Sequence, residues 1–200
     1  MLQHVRPALV LTLLFTFLTG VVYPLAITGL GTVVFPQQAQ GSLITRNGAI
    51  VGSSLVGQYF AAERYFHARP SATSRVDPSD ASKTVDEPYN AASSSGSNLG
   101  PLSQKLIDRV AGEVERVKVP GPAGIPADAV TTSASGLDPH ISPAFAAMQI
   151  SRVATARGWP EERVERIVAA KTEGRLFGLI GEPRVNVLLL NLALDEVQSQ

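Results

Sequence analysis

The sequence predicts a single N-terminal transmembrane α-helix followed by one α+β extracytoplasmic domain, with short strands and a hairpin first and helices after them. Three observations predict it. Residues 7–35 (PALVLTLLFTFLTGVVYPLAITGLGTVVF) form an apolar run, and no charged side chain occurs between Arg6 and Arg46. Just beyond it, Asn47-Gly48 sits between two short apolar runs, the strongest short hairpin signal. From residue 101 onward, apolar residues recur at helical spacing between recognisable start and stop residues.

The apolar run is long enough for a span. A helix needs about 20 apolar residues to cross a hydrocarbon core of about 30 Å. In lipid its backbone groups must bond to one another, so a lone span is helical. A cleaved signal peptide has an apolar core of about 7–15 residues and a small-residue cleavage site. This run is about twice that, and Ala39-Gln40-Gly41 is a poor site, so a retained anchor is expected. Within it Thr12, Thr16, Gly20, Pro24, Thr28 and Thr32 recur every fourth residue. Four-residue steps advance about 40° around a helix, which draws these positions into a slowly winding ridge. Small and weakly polar ridges let a second helix approach in lipid, where association relies on packing and hydrogen bonds. Pro24 removes a backbone donor and is expected to kink the span.

Charge gives the orientation. Arg6 precedes the span, and only Arg46 follows it closely. The positive-inside rule then favours residues 1–7 as a cytoplasmic N-terminus, 8–35 as the span, and 36–200 as a domain outside. The 17 basic and 17 acidic residues cancel, and no basic block marks a nucleic-acid surface. With no cysteine, a disulfide framework, a thiolate zinc site and a thiol nucleophile are excluded.

Along the domain, residues 42–45 and 49–53 flank the Asn-Gly turn as two strands. Residues 55–66 (LVGQYFAAERYF) are aromatic and read equally as helix or strand, ending at Arg69-Pro70. Residues 71–100 are rich in Ser, Ala, Asp and Gly and read as a long flexible loop, most mobile around 74–88. Residues 101–117 carry Leu102, Leu106, Val110, Val114 and Val117 at helical spacing. The stretch 120–126 (PGPAGIP) is a break, and 130–133 is a short strand. Ser142 and Pro143 give an N-cap and first-turn proline for a helix over 143–157, with Gly158 as its stop. Pro160, Glu161 and Glu162 open the next helix. After a GLIGEP turn, Val185, Leu188, Leu189, Leu192 and Val197 read as one face of a buried final helix, whose uncharged run is too short to span.

The sharpest chemical cluster is Ser133, Ser135, Asp138, His140 and Ser142. These residues invite a serine-hydrolase reading through Ser135 or Ser142, Asp138 and His140. Triad members are assembled by the fold rather than by adjacency, however, and no G-x-S-x-G elbow is present. The same residue types make turns and caps, so a turn that contacts a ligand or partner, or a plain structural turn, is expected more than catalysis. Too few His and no Cys are available outside the span for a metal site. Ser95, Gly96, Ser97 and Asn98 before a helix resemble a phosphate cradle, yet no Gly-Lys-Ser/Thr follows. Glu173, Arg175, Glu182 and Arg184 read as a solvated, partly paired surface.

Long segments of the chain resemble the C subunit of the bacterial Kdp potassium-transporting P-type ATPase. They include RPAL from Arg6, TGVVYPL from Thr19, FPQQAQGSLI from Phe35, VGSSLVGQYF from Val51 and YFHARPSA from Tyr65. SNLGP from Ser97, VTTSASGLDPHISP from Val130, RVATARG from Arg152 and GEPRVNVLLLNLALD from Gly181 complete the set. The resemblance implies a non-catalytic, single-span subunit needed for assembly and activity of a potassium uptake complex in the inner membrane. Its implied partners are a channel-like K⁺-binding subunit, a P-type subunit that hydrolyses ATP, and a small single-span subunit. The family is also described as a catalytic chaperone that raises the ATP affinity of the ATPase subunit. This chain departs at Ser95-Gly96, where family members usually carry two glycines, and its 74–89 loop is longer than usual. No cofactor is expected in this chain, and ATP and K⁺ belong to the complex. A domain outside the membrane meets no ATP, so any influence on ATP affinity is expected to be indirect, through differential binding to pump states.

Overall fold

The computed structural model describes residues 2–117 and 124–198. The chain divides into two compact units, Met1–Ser53 and Ser54–Gln200.

The first unit carries the apolar helix and a hairpin. Among the described residues one helix, Val5–Val34, is long and apolar enough to cross a membrane. It comprises α1 (Val5–Phe17), a π-helical turn over Leu18–Val22, and α2 (Tyr23–Val34). The anomaly expected from Pro24 takes the form of this π-turn. A proline ring crowds the carbonyl four residues back, here that of Gly20. Winding the preceding turn more loosely moves that carbonyl aside, and the Tyr23 N–H bonds Leu18 O instead. One extra residue in a turn retards the helix phase by about 100°, which offsets about half the drift of the Thr12–Thr32 ridge. Thr19 and Thr32 donate their hydroxyls to Phe15 O (2.6 Å) and Gly29 O (2.8 Å). The short α3 (Pro36–Ala39) follows, then β1 (Leu43–Arg46) and β2 (Ala49–Ser53), paired antiparallel. Asn47 and Gly48 turn the hairpin at φ 51° and 78°, as the two left-handed positions of a tight turn require.

In the second unit, residues 55–66 form neither helix nor strand apart from an isolated bridge. The expected loop over 71–100 contains a second hairpin, β3 (Ser74–Asp77) and β4 (Asp80–Asp86). Its turn is built from side-chain bonds. Asp77 accepts from the N–H and hydroxyl of Ser79, and Asp80 from those of Ser82. The helix α4 (Gln104–Val117) begins later than expected, leaving Leu102 94% exposed. Leu106, Val110, Val114 and Val117 form its half-buried face. Residues 120–123 of the expected break lie outside the described residues. The strand expected at 130–133 is instead the end of α5 (Ala127–Val130) and an extended segment without a partner strand.

The last part of the chain holds the core. β5 (His140–Ile141) precedes α6 (Pro143–Arg157), whose Ser142 Oγ accepts the Phe145 N–H and whose Gly158 stop sits at φ 65°. α7 (Glu161–Lys171), β6 (Thr172–Glu173), β7 (Arg184–Asn186) and α8 (Val187–Gln198) follow. The three strands form an antiparallel sheet in the order β5-β7-β6. Val185, expected to begin the last helix, therefore lies in the central strand. The buried residues of α8 are Val187, Leu188, Leu190, Asn191, Ala193 and Leu194, so Leu188 of the expected face is buried while Leu189, Leu192 and Val197 are half-buried. The helix packs with Phe145, Ile150 and Val153 of α6, Val164 and Val168 of α7, and Phe66 from the irregular segment.

Candidate functional site

The strap at residues 63–69, a turn followed by irregular chain, crosses this helical core without a partner strand among the described residues, so its backbone groups need other partners. Side chains supply them. Asn191 Oδ1 accepts from Phe66 N (2.8 Å) and its Nδ2 donates to Phe66 O (3.0 Å). Gln149 does the same for His67, at 2.7 and 3.0 Å. Arg152 donates to Glu63 O and Tyr65 O, Arg157 to Arg64 O, and Tyr89 Oη to Arg69 O. Two side-chain amides and two guanidinium groups thus take the place of a neighbouring strand. Arg157 is held between the Tyr65 and Trp159 rings and also pairs with Asp195 at 2.9 Å.

The turn at residues 133–142 meets the end of this strap. Ser133 Oγ accepts the Gly136 N–H (2.9 Å), Ser135 Oγ that of Leu137 (3.1 Å), and Asp138 Oδ1 that of His140 (3.0 Å). Ser142 Oγ caps α6 and donates to Asp128 (2.9 Å), which also takes the Ser142 N–H (2.6 Å). Gly136 sits at φ 67°, and a Cβ there would lie 2.5 Å from Thr73 Cγ2 and 2.6 Å from Ser95 O. The five residues singled out from sequence are brought together, but as turn and cap groups. Among the described residues no hydrogen bond joins His140 to a serine hydroxyl, so the geometry gives no activated nucleophile. His140 Nδ1 lies 3.5 Å from Asp138 Oδ1.

The segment Ser95, Gly96, Ser97 and Asn98 packs onto this turn. Ser95 N–H donates to Ser135 O (3.0 Å), and Thr132 Oγ1 to Ser97 Oγ (3.4 Å). A Cβ on Gly96 would stand 2.6 Å from Ala134 O. The glycine therefore serves close approach to the protein's own backbone. Among the described residues no group of three or more His, Cys, Asp or Glu could hold a metal ion.

Sequence reasoning missed Arg69, which ties the strap to the turn. Its Nη1 pairs with Asp138 Oδ2 at 3.0 Å, while Nε and Nη2 donate to Thr131 O and Thr132 O, both at 3.3 Å. Burial would raise the Asp138 pKa, but hydrogen bonds from the His140 side chain and backbone and from Arg69 outweigh it. They hold the carboxyl down at about 2. Burial, and then the charge of Asp138, push the Tyr89 hydroxyl well above its usual range. A charged residue ahead of a proline at the end of an aromatic run is the only signal that Arg69 carried. On one side of it lies a cleft of about 790 Å³, lined among others by Tyr59, His67, Tyr89, Arg116, Met148 and Arg152. On the other is a more open hollow of about 620 Å³, between Leu55, Val56 and the turn. Burial, and next the charge of Arg152, lower the His67 pKa.

The expected charged surface is present as two ion pairs, Arg175–Glu182 at 2.8 Å and Arg184–Glu173 at 2.9 Å.

Among the described residues the chain thus has one helix apolar enough to span a membrane and an α+β domain whose polar turn is internally bonded. The chain belongs to the family of the K⁺-transporting ATPase c chain, KdpC, whose model matches residues 5–196. It is 60% identical over 198 residues to the potassium-transporting ATPase KdpC subunit of Methylobacterium nodulans, covering 98% of each chain. The subunit of the same name from Rhodopseudomonas palustris is 59% identical over 196 residues, again 98% of each. That from Bradyrhizobium diazoefficiens is 57% identical over 201 residues, the whole of both chains.

Proposed function

We propose that this chain is the non-catalytic, single-span subunit of an ATP-driven potassium uptake complex of the bacterial inner membrane. Its N-terminus lies in the cytoplasm and its domain outside. Its partners are a channel-like K⁺-binding subunit, a P-type subunit that hydrolyses ATP, and a small single-span subunit. ATP and K⁺ are bound by those partners. This chain raises ATP affinity indirectly, by favouring one conformational state of the assembled pump, because coupling requires only a difference in binding energy between states.

The observation that carries this reading is the full-length family match, residues 5–196. Two features support the non-catalytic part. Each hydroxyl that could have served a hydrolase is bonded within its own turn or cap. The Gly96 segment is packed against Ala134. The test is extraction of the tagged full chain in mild detergent from cells that express the whole complex. Co-purification of the channel-like and P-type subunits is expected, and a chain that comes out alone refutes the reading. For topology, Ala81→Cys puts one thiol on an exposed strand of a chain with no cysteine. Labelling of intact cells by an impermeant maleimide is expected, and labelling confined to inside-out vesicles overturns the orientation.

A further inference from the structure

The strap is fastened to α6 at one amide and one guanidinium. Gln149 Oε1 accepts both the His67 N–H and an Arg152 Nη2 donor, each at 2.7 Å, and Gln149 Nε2 returns a bond to His67 O at 3.0 Å. Arg152 also holds Glu63 O at 2.6 Å and Tyr65 O at 3.1 Å. The His67 imidazole lines the same cleft as Gln149 and Arg152, with its Nε2 3.3 Å from Ala62 O. Charged groups reach this cleft from every wall: Glu63 and Arg69 of the strap, Arg152 of α6, Glu113 and Arg116 of α4, and Asp86 at the end of β4. The phenols Tyr59 and Tyr89 line it too. Its carboxylates are engaged elsewhere or lie in water. Glu113 pairs with Arg116 at 2.7 Å, Glu63 with Arg152 at 3.4 Å, and Asp86 is exposed. Arg69 is taken by Asp138.

We propose that His67 makes this seam an acid-released latch: the strap is held on α6 while the imidazole is neutral and loosens when the ring takes up a proton. The added cation stands in the same cleft as Arg152, the residue that fastens the strap, so repulsion acts on the seam itself. Burial first, and then the charge of Arg152, disfavour the protonated ring. The Ala62 carbonyl and Glu63 oppose them, and Arg116 adds to them. A latched chain therefore binds fewer protons than one whose strap has opened. The latch is complete above the ordinary histidine value of 6.5 and weakens as the pH falls below it. Asp138, held near 2, takes no part in that interval. Residues 67–71 form one wall of the 790 Å³ cleft, so release of the strap reshapes it. The latch belongs to the fold of the domain and holds independently of the subunit reading.

The experiment is hydrogen exchange of the full chain in detergent, read by mass spectrometry on peptides that span 63–69. Corrected for the intrinsic pH dependence of exchange, strap protection is expected to fall by about threefold or more between about pH 7.5 and 5.5. His67→Gln leaves the backbone bonds to Gln149 available and cannot be protonated, so it is expected to abolish the fall. It also separates His67 from the chain's other two histidines. No fall in the unaltered chain, or an equal fall in both chains, overturns the latch. Independently, the His67 ring signal of the unaltered chain, followed by NMR after histidine-selective labelling, is expected to titrate below 6.5. Titration at or above that value overturns the proposal whether or not the variant folds.

Discussion

Replacing Asn191 probes the most unusual connection in the domain, the seam between the strap and α8. The Asn191 side chain is 2% exposed, and both its amide atoms are spent on the backbone of Phe66, itself fully buried. Asn191→Leu keeps the branching of the side chain, enlarges it somewhat, and removes both bonds, stranding one N–H and one C=O in an apolar interior. Each stranded group costs about 1–3 kcal/mol, so the variant is expected to lose about 3–5 kcal/mol. That is a large share of the roughly 5–15 kcal/mol that stabilises a typical domain. Asn191→Ala adds a cavity and is expected to be worse. The assay is urea unfolding of the full chain in detergent, followed through the single tryptophan, Trp159, which is half-buried against Arg157 and Arg163. A loss below about 1 kcal/mol for the leucine variant would refute the reasoning, because two orphaned backbone groups cost more than that. In that event apolar packing of Phe66, not the amide, holds the strap.

Three other expectations follow from the same geometry. The Asp138 pKa, near 2, lies below its unfolded value of 3.8. Its contribution is therefore complete above about pH 4 and fades as pH falls toward 2. For this part-buried pair it amounts to about 1–2 kcal/mol, and Asp138→Asn should remove that part of the acid dependence of the urea midpoint. Gly136→Ala meets both a positive φ and the Thr73 and Ser95 atoms. It should cost about 1–3 kcal/mol by the same tryptophan assay. In the span, Thr12→Leu with Thr16→Leu should lower recovery of the assembled complex by roughly three- to thirtyfold. Leu14→Ala, on the opposite side of the helix, should leave recovery unchanged.

The parts of this molecule that could be read from sequence are those settled within one turn of chain. The span needs only its own apolar run. The first hairpin needs only Asn47-Gly48, and α6 is bounded by Ser142, Pro143 and Gly158, whose cap bonds reach three or four residues. Where a strand lacks an apolar alternation, that signal fails. β3 and β4 carry Ser, Arg, Asp, Lys and Thr with a single valine each, and their turn is closed by aspartate side chains. β7 fails for the opposite reason. Val185 precedes a run of apolar residues that all suit a helix, and only its pairing with Ile141 and Thr172 makes it a strand.

The candidate site divides the same way. Ser133, Ser135, Asp138, His140 and Ser142 stood out because they are neighbours in sequence, and their neighbourly bonds are what the turn uses. Arg69, Gln149 and Asn191 were passed over because their partners lie 62 to 125 residues away. A buried amide on an apolar helix face is visible in sequence as an exception to the pattern. NLALDE carries one, and its cost without a partner is high enough that such an exception implies a backbone waiting to be matched. Local composition cannot say which backbone. That it is the strap ties the YFHAR segment to the NVLLLNLALD helix, and it sets the wall of the cleft in which His67 and Arg152 lie.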